Sequence, residues 1–228
     1  MEIPDPPRTP AEAEAVQDAL RPLLDLAGPG PRDPATIAGL DVSYAGDGGG
    51  TGTPLAAAAV VLSAATLETV ATSVALGTAA FPYVPGLFAF RELPALLAAL
   101  RGLPAAPDVL ACDGYGLAHP RRFGLACHLG ALTDLPSFGV AKTAFVGEWE
   151  PPGERRGDAS PLLLDGEVVG RVLRTRDGVK PVFVSVGHRM DLDTACALTL
   201  ALTPEFRLPE TTRRADRLSR DALAGLAH

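Results

Sequence analysis

No stretch of the chain approaches the roughly 18 uninterrupted apolar residues that a membrane helix needs. The opening Met1-Glu-Ile-Pro-Asp-Pro-Pro7 has neither the basic nor the apolar region of a signal peptide. The expectation is a soluble, cytoplasmic protein with no membrane partner. Cysteine is scarce: Cys112, Cys127 and Cys196 are odd in number, lie inside apolar runs and show no CxxC spacing, so they read as buried thiols rather than metal ligands or disulfides. A basic excess is also missing. The net charge of −7 argues against purely electrostatic tracking of phosphates, although arginines gather at Arg121-Arg122, Arg155-Arg156, 171–176 and 213–220, so the distribution still allows a local basic face. The glycine-rich run 46–52 lacks the Lys-Ser/Thr ending of a phosphate loop and launches no helix, which makes it a turn. No internal repeat, heptad or exposed apolar stripe is evident, consistent with a monomer.

What is present is a sizeable core: 47% of 228 residues are hydrophobic, enough for one domain with a terminal addition. Residues 1–35 read as an N-terminal helical arm packed on the main domain of 36–228. The arm holds one helix over 10–26, whose Ala11, Ala15, Leu20, Leu23, Leu24 and Leu26 make an apolar face, closed by a Gly-Pro-Gly-Pro breaker. Strands over 36–44, 56–62 and 70–76 form an antiparallel meander. A helix over about 87–100, a strand at 109–113, a helix at 123–133 and a strand at 137–141 follow in alternation. After a charged loop at 153–158 come a hairpin of 162–164 and 168–175 turning at Asp165-Gly166, a strand at 182–186, and helices at 192–202 and 210–223. This order predicts an α/β fold with a mixed central β-sheet flanked by α-helices on both faces.

Three acids interrupt buried-looking segments: Asp41 in the first strand, Glu92 in the first turns of the helix after the meander, and Asp113 at the end of the fourth strand. An unpaired buried carboxylate costs several kcal/mol, roughly enough to unfold a marginal domain, so such acids are usually matched by cations or metals. If the first and fourth strands are neighbours, the three converge as they do in an RNase H-like nuclease, and hard oxygen donors of this kind suit Mg²⁺ acting on phosphodiesters. Taken singly, Asp113-Gly114 is also a turn and Glu92 also a helix-start acid favoured by the dipole. Asp41, in mid-strand, has the weakest alternative.

The strings Phe81-Pro-Tyr-Val-Pro-Gly-Leu-Phe-Ala-Phe-Arg-Glu92, Asp113-Gly-Tyr-Gly-Leu-Ala-His-Pro-Arg-Arg-Phe-Gly124, Gly139-Val-Ala-Lys142, Gly187-His-Arg189 and Leu208-Pro-Glu-Thr-Thr-Arg213 closely resemble endonuclease V, over about residues 37–219. The resemblance implies an RNase H-like, Mg²⁺-dependent endodeoxyribonuclease, with Mn²⁺ as a substitute. Its implied partner is DNA containing deoxyinosine, with inosine RNA as a second candidate. Hydrolysis falls at the second phosphodiester bond 3′ to hypoxanthine, leaves a 5′-phosphomonoester and initiates DNA repair.

By position, the resemblance implies metal binding by Asp41, Glu92 and Asp113, a fourth catalytic acid at Asp216, and Lys142 near the reacting phosphate, where an ammonium stabilises developing charge. It implies a wedge at Tyr83, held between two prolines, that fills the space left by an everted base. The lesion pocket is implied at Gly86, Phe88, Gly114, Gly116, His119, Gly124 and Leu125, with Arg121 and Arg122 on phosphates. Glycine amides approach a base edge closely, and hypoxanthine differs from adenine in its O6 acceptor and protonated N1. Thr143 stands where many relatives carry a second lysine. The residues themselves leave alternatives: an RNase H-like nuclease for mismatched, branched or RNA structures, and a lesion-binding protein without cleavage. The intact carboxylates speak against the second.

Overall fold

A computed structural model of the protein describes residues 5–46 and 50–225. Residues 47–49 of the glycine-rich turn lie outside the described residues. The chain runs α1 (Pro10–Leu20), β1 (Thr36–Tyr44), β2 (Pro54–Ser63), β3 (Thr69–Thr78), α2 (Ala89–Arg101), β4 (Val109–Asp113), α3 (Leu125–Thr133), β5 (Ser137–Ala141), β6 (Glu148–Trp149), β7 (Ala159–Leu164), β8 (Glu167–Leu173), β9 (Val182–His188), α4 (Leu192–Ala201) and α5 (Glu210–Ala224). The strands make one sheet in the order β3-β2-β1-β4-β5-β9-β8-β7-β6. β1 to β3 are the expected antiparallel meander, and the helical crossovers through α2 and α3 make β4 parallel to β1 and β5 parallel to β4. From β9 outward the pairing is antiparallel. The fold is thus RNase H-like, a mixed sheet with helices on both faces.

Side-chain alternation along β1 divides the core. Ala38 and Leu40 pack with Leu93, Leu96 and Leu97 of α2 and Leu129 of α3. Ile37 points the other way, joining Val109, Ala111 and Phe138 in a cluster with Ala195 and Leu198 of α4. On that second side α5 seats directly on β1: a Cβ added at Gly39 would stand 2.2 Å from the Thr211 carbonyl carbon. Gly39→Ala is therefore expected to destabilise the protein by about 2–3 kcal/mol, because two main chains rather than a flexible tip must separate. Urea unfolding measures it, and an unchanged midpoint would show that α5 rides higher on the sheet.

Several boundaries differ from those the sequence suggests. The arm helix stops at Leu20 and becomes a single 3-10 turn, Arg21–Leu23, because Pro22 has no N–H to continue the ladder. The expected 10–26 helix therefore loses its last turn, leaving Leu23 and Leu26 exposed. α3 starts two residues later than 123, since Gly124 is extended and its N–H donates to the Gly116 carbonyl. β7 begins earlier and β8 ends earlier than expected, and the two-residue β6 carried no readable signal. The three cysteines are buried free thiols. No helix of the described residues is long and apolar enough to cross a membrane.

Candidate active site

The parallel register that sets Leu40 beside Cys112 brings the next residues, Asp41 and Asp113, side by side where β4 ends. Glu92 arrives from the α2 side of the sheet, through the first turn of that helix. Asp41, Glu92 and Asp113 line one cleft of about 280 Å³ together with Tyr44, Phe88 and Leu125. Each carboxylate has its own protein partner: the Ser219 hydroxyl donates to Asp41 Oδ2 at 3.0 Å, the Tyr44 hydroxyl to Glu92 Oε1 at 3.0 Å, and Lys142 Nζ to Asp113 Oδ2 at 2.9 Å. Among the described residues no three carboxylate, imidazole or thiol donors are arranged to grip a cation.

The electrostatics nevertheless fit one. Burial, then the neighbouring Asp113 charge, pushes the Asp41 carboxyl up to about 6. Burial pushes Glu92 up to about 8, with the charges of Asp41 and Asp113 adding to the rise against the Tyr44 hydrogen bond. Two acids whose ionised forms are disfavoured by burial and by the charge of Asp113 beside them mark a site short of positive charge, and hard oxygen donors are what a small divalent cation takes. The nearby cations, Lys142 and Arg220, offset only part of the deficit at Asp41.

A second cleft, of about 320 Å³, adjoins the first through Phe88, Asp113 and Leu125, which line both. Its further walls include Tyr83, Gly86, Gly114, Tyr115, His119, Gly124 and Phe145. Tyr83 is 64% exposed between Pro82 and Pro85 and meets Phe88 edge-on at 5.8 Å. Gly86 and Gly114 have φ of +82° and +143°, so any side chain there is strained and the loop main chain stays uncovered. His119 is buried, and desolvation holds its imidazole down to about 4, a neutral ring at physiological pH. Its Nδ1 accepts from the Arg121 N–H at 3.2 Å, which leaves the other nitrogen as the donor.

Four expected residues lie elsewhere, among them Arg122, which pairs with Glu167 at 3.2 Å and Asp165 at 3.6 Å. Gly116 sits behind the cleft wall, donating its N–H to Ser185 Oγ at 2.8 Å and too close to the Val186 carbonyl to carry a side chain. Arg121 lines neither cleft: it pairs with Asp18 at 2.8 Å and Glu14 at 3.5 Å of α1. Asp216 pairs with Arg220 one turn along α5 and lines neither cleft. The arginine clusters are largely spent on structure as well. Arg156 donates to the carbonyls of Thr175, Thr203 and Leu200, and Arg174 to those of Pro152, Gly153 and Val179, and outside the clusters Arg207 donates to those of Lys142, Lys180 and Pro181.

Sequence reasoning missed Tyr44, Ser219, Tyr115 and Phe145. Phe145 stacks on Tyr115 at 5.3 Å and meets His119 edge-on at 5.6 Å. An aromatic residue three positions past Lys142, in a loop, was the only available signal. Tyr44 and Ser219 had none, since one belongs by alternation to the opposite face of β1 from Asp41 and the other lies 178 positions from it.

An acidic cleft at the ends of two parallel strands in an RNase H-like sheet defines a nuclease. Residues 19–217 match the endonuclease V family model, and the chain belongs to that family. An endonuclease V of Streptomyces avermitilis is 60% identical, over 95% of this chain and 93% of its own. The crystal structure of an endonuclease V from the same organism superposes with a TM-score of 0.93 at 58% identity, covering 99% of this chain and 98% of that one. Endonuclease V of Ciona intestinalis, solved with a 24-mer DNA containing an inosine followed by a ribo-adenosine, superposes at 0.79 with 27% identity over 95% of this chain and 98% of that one.

Proposed function

We propose that this nuclease uses a divalent cation, Mg²⁺ with Mn²⁺ as a substitute, to hydrolyse the second phosphodiester bond 3′ to hypoxanthine in DNA, leaving a 5′-phosphate and initiating repair. The observation that carries the reading is the pair of adjoining clefts: a ring-lined cavity with exposed loop main chain opens into a carboxylate-lined one, so that a base everted into the first leaves its own strand lying across the second. The inosine-containing DNA bound by the Ciona relative supports the same substrate class.

Asp41, Glu92 and Asp113 would hold the cation, which when bound supplies an activated water and neutralises charge at the leaving oxygen. The remaining work falls to side chains. Lys142, partly exposed and held on Asp113 at 2.9 Å, would meet a phosphate oxygen of the strand. Ser219 and Tyr44 aim the Asp41 and Glu92 carboxylates. Tyr83 and Phe88 occupy the mouth, where a rigid aromatic fills the gap left in the stack. Gly86, Gly114, Gly124 and Leu125 bring main-chain groups to the base edge beside the neutral His119 ring, and an adenine there leaves those groups unpaired. Asp216 reaches the acidic cleft only by leaving Arg220.

End-labelled duplexes carrying one hypoxanthine or one adenine, incubated with Mg²⁺ or with EDTA, test the reading. The expected product is a single nick one nucleotide 3′ of the lesion, abolished by EDTA and absent from the adenine duplex. Equal cutting of both duplexes, or cutting in EDTA, overturns it. An inosine RNA of the same sequence ranks the two substrates.

A further inference from the structure

We infer that helix α1 of the arm belongs to the base cleft, and that Gln17 is a positioning residue locking two of its loops together. This rests on the reading of that cleft as the base site. Gln17 is fully buried, and its amide nitrogen donates to the Gly86 carbonyl at 3.1 Å and the Phe123 carbonyl at 3.2 Å. Gly86 lines the cleft, and Phe123 precedes Gly124, which does so too. Both amide hydrogens are consumed, and rotating the amide would set its oxygen against two carbonyls, so only one orientation is satisfied.

A second path joins the same points. The His119 ring hydrogen-bonds the Gly86 main chain and accepts from the Arg121 N–H. The Arg121 guanidinium pairs with Glu14 and Asp18, and Arg21 donates to the Arg121 carbonyl at 2.9 Å. The circuit Gln17, Gly86, His119, Arg121, Asp18 begins and ends on α1 and passes through both loops. Helix packing alone is served by an apolar residue, as Ala13 serves one turn earlier. Gln17 instead buries an amide whose oxygen has no partner among the described residues, and what it gains in return is the fixed separation of Gly86 and Phe123. Selectivity that depends on main-chain groups at a base edge is sensitive to that separation.

The test is Gln17→Leu, similar in volume and without donors, in the full chain. Hydrogen exchange without nucleic acid is expected to quicken at amides within 82–88 and 119–125 while α5 stays unchanged. The hypoxanthine-to-adenine incision ratio is expected to fall about tenfold, the equivalent of one net hydrogen bond. If Gln17→Leu does not fold, Arg121→Gln opens the circuit at its more exposed link and carries the same two expectations. Unchanged loop exchange overturns the locking role, and so does a uniform rise across the molecule, which marks a merely structural glutamine. Faster loops with an unchanged ratio overturn the selectivity role. A wild-type protein without hypoxanthine preference defeats the base-site reading instead, and the exchange result still decides whether α1 holds the loops.

Discussion

Asp41→Asn is expected to leave the protein folded and to lower incision at hypoxanthine by about three orders of magnitude or more. Asparagine keeps the size of the side chain and the acceptor that Ser219 bonds at 3.0 Å, so the β1–α5 contact survives. It loses the charge. A neutral oxygen beside Asp113 and Glu92 leaves a cation two anionic ligands instead of three, and the electrostatic deficit that drew it into the cleft shrinks. The same substitution relieves an acid that burial and Asp113 hold up near 6, so the unfolding temperature at pH 8 should rise while activity falls. That opposition of signs separates lost chemistry from lost structure. Incision within tenfold of wild type would remove Asp41 from the reaction. Activity lost together with stability would assign it to the scaffold.

Stability of the metal-free protein is expected to peak near pH 6–7 and to decline by about 2 kcal/mol toward pH 9. Burial, followed by the charges of Asp41 and Asp113, raises Glu92 from its ordinary 4.5 to about 8. The folded state therefore prefers its protonated form, whose stabilisation is complete below about pH 4.5 and is lost as pH rises through 8. Asp41, raised from 3.8 to about 6, loses its share at lower pH. Buried imidazoles act in the opposite sense: desolvation lowers His119 to about 4 and His128 to about 3, so their contribution is present above about 6.5 and is lost on acidification. The alkaline limb thus belongs to Glu92. Glu92→Gln should flatten it, and Mg²⁺ should stabilise the wild type more at pH 8 than at pH 5, because ligands bind as carboxylates. Thermal unfolding across this range checks both. A profile that stays level from pH 6.5 to 9 would mean that Glu92 is ionised in the folded protein at no cost.

The meander, the two crossovers and the three carboxylates were legible because they depend on short-range rules. Apolar runs bounded by turns marked β1, β2, β4 and β5. An acid inside such a run is conspicuous wherever it occurs, as Asp41 and Asp113 were. The loop at the cleft was legible for a similar reason, with Tyr83 pinned between prolines and exposed. Arg121 lies away from both clefts, and a basic residue beside a glycine-rich loop looks the same in sequence whether it faces a phosphate or an acid. Its partners, Glu14 and Asp18, lie more than a hundred positions away. Asp216 likewise stands outside both clefts, paired with Arg220 along its own helix.

By itself, then, the sequence determined the order of elements, the sheet's mixed character and the identity of the acids, since propensity, periodicity and motif are properties of neighbouring residues. Tertiary structure alone decided which groups meet. It made Asp41 and Asp113 neighbours through strand register, and it brought Glu92 to them from the α2 side of the sheet. It supplied Ser219 and Tyr44 as their partners and joined the two clefts at Phe88. It also delivered Gln17 from the arm to Gly86 and Phe123, 69 and 106 positions away. Hydrogen bonds and Coulomb interactions act over a few ångströms of space, and only the folded backbone turns distances along the chain into distances of that kind.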